Sequence, residues 1–371
     1  MKHVYKLKWT LLFLLFGMVA NVNGQVNWGG TSNGAIIQPG QTVNAKLVSD
    51  LVMNGILVVQ GNLTLDLNGY VMRENNHAGY LCVISTGGTH TLKDSRPNVP
   101  HYGIPKVISM GGKNTQCLWH YDASYTASTP GAIRINGGIM TAGYGFIGGG
   151  VCCYGTLIMN GGTIAGNNVA STDYYEKVGS SWVLRIYRPT TCDEMRTAWE
   201  GFVNAHGCYK YLDINDPNTI TVYNQCMGEG GGVFVGPQGS FTMNGGRICY
   251  NYSSYHGGGV YAGGPFTMSG SSSIDHNYTA AGYGGGVFVS HNIDTQPCVN
   301  GISNSAPYIE DCGVMVMNNG TISYNNAYGG SGGGIMAWFY SIVTVNNGSI
   351  HHNLALGQRH KDLGNGGGVY C

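Results

Sequence analysis

Residues 230–289 read GGGVFVGPQGSFTMNGGRICYNYSSYHGGGVYAGGPFTMSGSSSIDHNYTAAGYGGGVFV. One phrase opens this stretch at Gly230 and returns at Gly257 and Gly284, with copies 27 residues apart. Further copies are GGGVCC from Gly148, GGGIMA from Gly332 and GGGVYC from Gly366. A second phrase follows most of them: LIMNGGTIAGNN from Leu157, FTMNGGRICYNY from Phe241, FTMSGSSSIDHNY from Phe266, VMNNGTISYNN from Val316 and VTVNNGSIHHN from Val343. Each unit thus offers two or three short strands broken by Gly and Asn, without helical periodicity between them. No such unit buries a face alone, so the units must stack, one coil per repeat. The pattern predicts an all-β chain wound into a right-handed parallel β-helix.

Stacking sets like residues above like at the ~4.8 Å strand spacing. Val233, Val260, Val287, Ile335 and Val369 then form one core column, and Ile164, Ile248, Ile274, Ile322 and Ile350 another. Asn167, Asn251, Asn277, Asn325 and Asn353 recur at one aligned turn, either as a side-chain ladder up the stack or as turn formers alone. Glycine clusters fit corners that need positive φ or close backbone approach.

Working outward, NLTLDLNGYVM from Asn62 and THTLKDS from Thr89 are short alternating strands, and coils are expected from near residue 36. Two insertions interrupt the ladder, at about 169–229 and 290–312. The first contains a capping box at Thr191 and Glu194 ahead of Met195, Ala198, Trp199, Phe202 and Val203 on one face, which predicts a short amphipathic helix.

Residues 1–24 have Lys2, Lys6 and Lys8 before an apolar run from Leu11 to Ala20 and a small-residue end at Val22-Asn23-Gly24. That is the pattern of a secretory signal peptide, leaving residues 25–371 as the β-helix domain and predicting an exported protein, secreted or at the cell surface or outer membrane. No later stretch has the length and apolarity of a membrane-spanning helix. Charged residues are 10% of the chain and balance to zero net charge, with no basic run to follow a phosphate backbone, so nucleic acid is excluded as a partner. Eleven cysteines in an exported chain point to disulfides, with Cys192–Cys208 and Cys298–Cys312 as the candidate pairs because each closes a short loop. No Cys-x-x-Cys spacing supports a metal site, and His256, His276, His351 and His352 read as solvated turn residues. No cofactor is expected, apart from calcium as an option at Asp213 and Asp216 in LDINDPN.

Together these repeats resemble right-handed β-helix proteins of the pectin-lyase-like kind, especially the repeats of chlamydial polymorphic outer-membrane proteins. That family pairs a Gly-Gly-Ala-Ile type motif with Phe-x-x-Asn. Phe241-Thr-Met-Asn244 matches the second motif in full, Leu157 to Asn160, Phe266 to Ser269 and Val343 to Asn346 match it in part, and a third Gly stands where the family has Ala. The resemblance covers most of residues 36–371 and implies adhesion or display at a cell surface.

Alternation within the GGGV strands sends Phe234, Tyr261, Phe288, Met336 and Tyr370 outward as an apolar stripe. Such a stripe either binds a partner, glycan or surface protein, or is covered by the inserted segments. The expected function is therefore an adhesin-like binding or structural module. The alternative is a polysaccharide lyase or glycoside hydrolase, which needs converging carboxylates. Asp275 is the one acid in a repeated strand motif of residues 230–371, and Cys249, Ser323 and His351 replace it in other repeats. Eight acids, from Asp173 to Glu229, fall instead in or at the edge of the first insertion. The chain stops at Cys371, two residues into a strand, which predicts an uncapped end open to end-to-end association.

Overall fold

The computed structural model describes residues 25–75, 80–110, 113–145, 147–169, 174–178, 181–185, 228–280, 282–290, 313–338, 341–357 and 364–371. Among these the chain is all-β, dominated by parallel sheets of sixteen and nine strands with a third of six. Sequence neighbours rarely pair. Each strand bonds instead to its counterpart one repeat away, as in Val233–Val235 with Val260–Ala262 and then Val287–Val289. These pairings are consistent with a β-helix.

Each coil contributes to four rows. The first row is the GGGV strand, here Val233–Val235, and the second is Ser240–Met243. Arg247–Cys249 belongs to the third and the two-residue Tyr252–Ser253 to the fourth. Rows two and three share one sheet because the long strand Thr42–Met53 pairs with Asn62–Asp66 through its first half and Val71–Glu74 through its second. Pairing begins earlier than residue 36, since Gln25–Ser32 already runs parallel to Thr42–Met53.

Inward side chains of the first three rows form one continuous core. The expected valine column is in register from Val233 to Val369, as is the isoleucine column from Ile164 to Ile350. One core position is anomalous. His90 stands in the second row between Leu63 and Leu157, fully buried, with neither ring nitrogen in hydrogen-bond geometry with a partner.

The asparagine column is a ladder. Asn251 Nδ2 donates to Asn277 Oδ1 (3.0 Å) and Asn277 Nδ2 to Asn325 Oδ1 (3.0 Å), and the series runs unbroken from Asn167 to Asn353. Each Oδ1 from Asn251 to Asn353 also accepts the backbone N–H of the preceding ladder asparagine, and each Nδ2 reaches a backbone carbonyl, such as Asn277 to Ile248 at 2.9 Å. Buried amides are therefore satisfied on every side. The ladder also explains the third glycine of each GGG. A Cβ on Gly259 would lie 2.9 Å from Asn277 Nδ2, and one on Gly286 2.8 Å from Asn325 Nδ2, so the Ala of the resembling repeats has no room here. The first glycine of each triplet takes positive φ, 67° at Gly230 and 62° at Gly257.

An excursion that the sequence reading missed leaves the coil at Pro100–Met110, returns along Lys113–Tyr121 and closes with Ile133–Asn136 as an antiparallel three-stranded sheet. Its first two strands, of 11 and 9 residues, contain none of the repeat phrases. Trp119, Ile133 and Ile135 pack on the outward side of the third row, over Val71, Ile139, Ala165 and Cys249. Within the first insertion, Tyr174–Val178 and Ser181–Arg185 form an antiparallel pair. The expected helix, Cys192, Cys208, Cys298, Cys312, Asp213, Asp216 and the signal sequence lie outside the described residues. Cys82, Cys152, Cys153 and Cys249 are buried free thiols. No helix among the described residues is long and apolar enough to cross a membrane.

Candidate ligand-binding column on the third row

Four successive repeats contain the cassette Ile-x-x-Asn: Ile248-Cys-Tyr-Asn251, Ile274-Asp-His-Asn277, Ile322-Ser-Tyr-Asn325 and Ile350-His-His-Asn353. Isoleucine points into the core and asparagine into the ladder. Plain alternation would send the first intervening residue outward and the second inward. The second instead takes the left-handed region, at φ 53° for Tyr250, 54° for His276, 56° for Tyr324 and 53° for His352. Side chains enter that region at a cost of roughly 1–2 kcal/mol, which the ladder bonds on the next residue offset. With this kink both intervening side chains emerge on the same side of the coil. Asp275 and His276 touch through Oδ1 and Nδ1 at 2.8 Å, and His351 and His352 through their Nδ1 atoms at 2.7 Å.

Coil stacking then lines up the second residues as a column of rings. Tyr250 and His276 stack at 4.7 Å, His276 and Tyr324 at 5.0 Å, and Tyr324 and His352 at 4.9 Å, with planes within 22° of parallel. Ring faces cover one another, so the column presents its polar edges. Tyr250 is buried where the excursion ends, His276 is half-buried, and Tyr324 and His352 are exposed. The excursion thus walls one end of an otherwise open surface.

Beside the rings, the first residues form the row Cys249, Asp275, Ser323, His351. Asp275 is its electrostatic centre. Arg247 Nε donates to Oδ2 at 2.8 Å and its terminal nitrogen to Oδ1, while Ser273 Oγ donates to Oδ2 at 2.7 Å. Burial alone would raise the Asp275 pKa, but these donors and His276 outweigh it and hold the carboxyl at about 2. An ionised carboxylate only accepts, so His276 donates through Nδ1–H and leaves Nε2 as an acceptor. Burial pushes Cys249 up to about 12 and Tyr250 up to about 12, so neither supplies an anion. No group of three or more His, Cys, Asp or Glu among the described residues is placed to hold a metal.

The apolar stripe is a different matter. Phe234, Tyr261, Phe288 and Met336 do point away from the core valines, but they are buried in a second cluster with Tyr283, bordered by Tyr154 and Trp338, and Tyr370 at its margin is half-buried. This row is therefore covered, and the expectation of an exposed apolar strip is corrected. Neighbouring rings stack on one another instead, Phe234 on Tyr261 at 5.1 Å and Phe288 on His256 at 4.1 Å. His256 is a core residue here, not a solvated turn histidine. Its Nδ1 accepts from the Tyr283 N–H at 3.0 Å, and burial holds its pKa well below the ordinary value.

No protein-family model, curated protein or solved structure matches the chain. Sequence reasoning located the isoleucines and asparagines, compared Asp275 with Cys249, Ser323 and His351, and read His276 and His352 as solvated turn residues, but it did not join them with Tyr250 and Tyr324 into one column. The signal was present in their spacing. Two inward residues three apart leave an odd step, which requires a left-handed residue, and that residue brings its side chain to the surface.

Proposed function

We propose that this chain is an exported, surface-displayed right-handed parallel β-helix of the pectin-lyase-like kind that binds an extended glycan along its third row. The ring column beside the Arg247–Asp275 pair carries this reading. A polymer laid along the stack meets the half-buried His276 and His351 and the exposed Tyr324 and His352 at a coil spacing of ~4.8 Å, with the Arg247 side chain over the buried Asp275 beside them. Zero net charge and a charged fraction of only 10% suit a ligand rich in hydroxyl groups rather than a polyanion. Right-handedness is supported by the handedness rule for parallel crossovers, and export by the leader-like residues 1–24. The repeats' similarity to those of chlamydial polymorphic outer-membrane proteins supports an adhesive role.

The test is retention of residues 25–371 on a panel of immobilised polysaccharides. Specific retention that drops about tenfold in Tyr324→Asn, which tolerates the left-handed backbone, supports the reading. Equal retention of both proteins, or none on any glycan, rejects it, and capture by surface proteins alone would move the assignment to a protein partner.

One observation favours a hydrolytic or lyase reading as second choice. His276 is oriented by a carboxylate and keeps Nε2 free, the arrangement of a general base. Released oligosaccharide that disappears in His276→Gln would support it. Retention without release leaves the binding module.

A further inference from the structure

We propose that His351 and His352 form a binding site for a divalent cation of borderline softness, Cu²⁺ or Zn²⁺, independent of any glycan. Adjacent residues of a strand normally project to opposite faces and cannot share a ligand. The left-handed backbone at His352 removes that obstacle, and the two Nδ1 atoms converge to 2.7 Å. Each Nδ1 is either a lone-pair acceptor or a single N–H donor. In the metal-free protein one of them must carry a proton directed at the other. A cation that replaces this hydrogen bond, while the donor ring moves its proton to Nε2, finds two imidazole nitrogens on one side, which must part by roughly 0.2–0.7 Å to admit Cu–N or Zn–N bonds of about 2.0–2.1 Å.

Both rings are held from outside the pair. His352 stacks on Tyr324 at 4.9 Å and 16°, and His351 meets the same ring edge-on at 5.8 Å and 86°. The imidazoles stand at 87° to each other, which keeps their nitrogens convergent rather than stacked. His352 is exposed and His351 half-buried, so the remaining coordination positions are open to water or to a ligand atom. Imidazole pairs favour Cu²⁺ and Zn²⁺ over the oxygen-seeking Ca²⁺ and Mg²⁺, and Cu²⁺ most of all.

The experiment is calorimetric titration of residues 25–371 with Cu²⁺ or Zn²⁺ alone, Ca²⁺ and Mg²⁺ serving as controls, with nitrogen coordination read by electron paramagnetic resonance of the Cu²⁺ form. Comparison with His351→Gln and His352→Asn isolates this pair from the other histidines; asparagine accepts the left-handed backbone, so both variants retain the coil. The expected result is one site fewer, or at least about tenfold weaker binding, in each variant, with loss of the two-nitrogen signature. Tyr324→Asn should weaken the site less, through loss of ring orientation. Unchanged stoichiometry and affinity in the double variant would overturn the proposal, as would absence of Cu²⁺ binding to the parent protein.

Discussion

Buried histidines give the molecule its sensitivity to mild acid, and beside His256 the one in the main core is His90. Burial in the second-row core pushes its pKa from 6.5 down to about 4, with a smaller opposing contribution from the Leu63 backbone. The folded state therefore binds fewer protons than the unfolded state between those values. The stability tied to His90 is complete above pH 6.5 and falls as pH drops toward 4, by about 3 kcal/mol in all. His90→Leu, matching Leu63 and Leu157, is expected to abolish this loss, which denaturant midpoints across that window would show; an unchanged slope contradicts it. Asp275 acts lower on the scale. Its depressed pKa stabilises the fold above pH 3.8, and that contribution, about 2 kcal/mol, is lost as pH falls through 2. Asp275→Asn should flatten only this second decline. In the ladder, Asn277→Ala strands donors on Asn251 and the Ile248 carbonyl in a buried site, at a cost on the order of 3 kcal/mol. Asn353→Ala at a half-buried rung should cost visibly less in the same thermal unfolding assay.

At the scale of the element, two parts of the design depend on each other. The GGG corner and the asparagine turn meet across the coil, and a Cβ on Gly259 would lie 2.7 Å from the Gly286 carbonyl of the next coil and 2.9 Å from Asn277 Nδ2. Gly259→Ala is expected to destabilise by roughly 1–3 kcal/mol through displacement of that rung, whereas Gly87→Ala, which meets no neighbour, pays only for its backbone at φ 83°. Trp119 pins the excursion to the third row by packing over Val71, Ile139, Ala165 and Cys249 and by donating its backbone N–H to the Tyr250 carbonyl at 3.3 Å. Trp119→Ala should cost about 3–5 kcal/mol locally. Amide exchange would accelerate in residues 100–136 while the coils at 228–280 stay protected; equal acceleration in both would refute the division. These elements also show what the sequence could convey. The columns at Val233 and Ile248 were legible because period and burial coincide. The excursion was not, because Pro100–Met110, an 11-residue strand with two prolines, carries no repeat period, and its antiparallel partners are set by contacts that no sequence pattern names. The outward fate of the Phe234 row was legible and cover was one of its two readings, but the rings that pack there, such as Tyr283 and Trp338, lie elsewhere in the repeat and were not foreseen.

For the molecule as a whole, charge contributes little. With charged residues at 10% of the chain, apolar columns and a hydrogen-bonded backbone hold the coils together. Unfolding midpoints should therefore change little between low and moderate salt, and a large shift would reveal ion pairs that matter more than the Arg247–Asp275 bridge. The Ile-x-x-Asn cassette has a further consequence. Its outer letters bear the fold, and toward the later repeats its inner two, as at Tyr324, His351 and His352, come to the surface. The chain already writes Cys-Tyr, Asp-His, Ser-Tyr and His-His in that slot without disturbing the rungs on either side. Such a frame behaves like movable type: selection can reset what the surface says one coil at a time, and the press that holds the letters stays as it was.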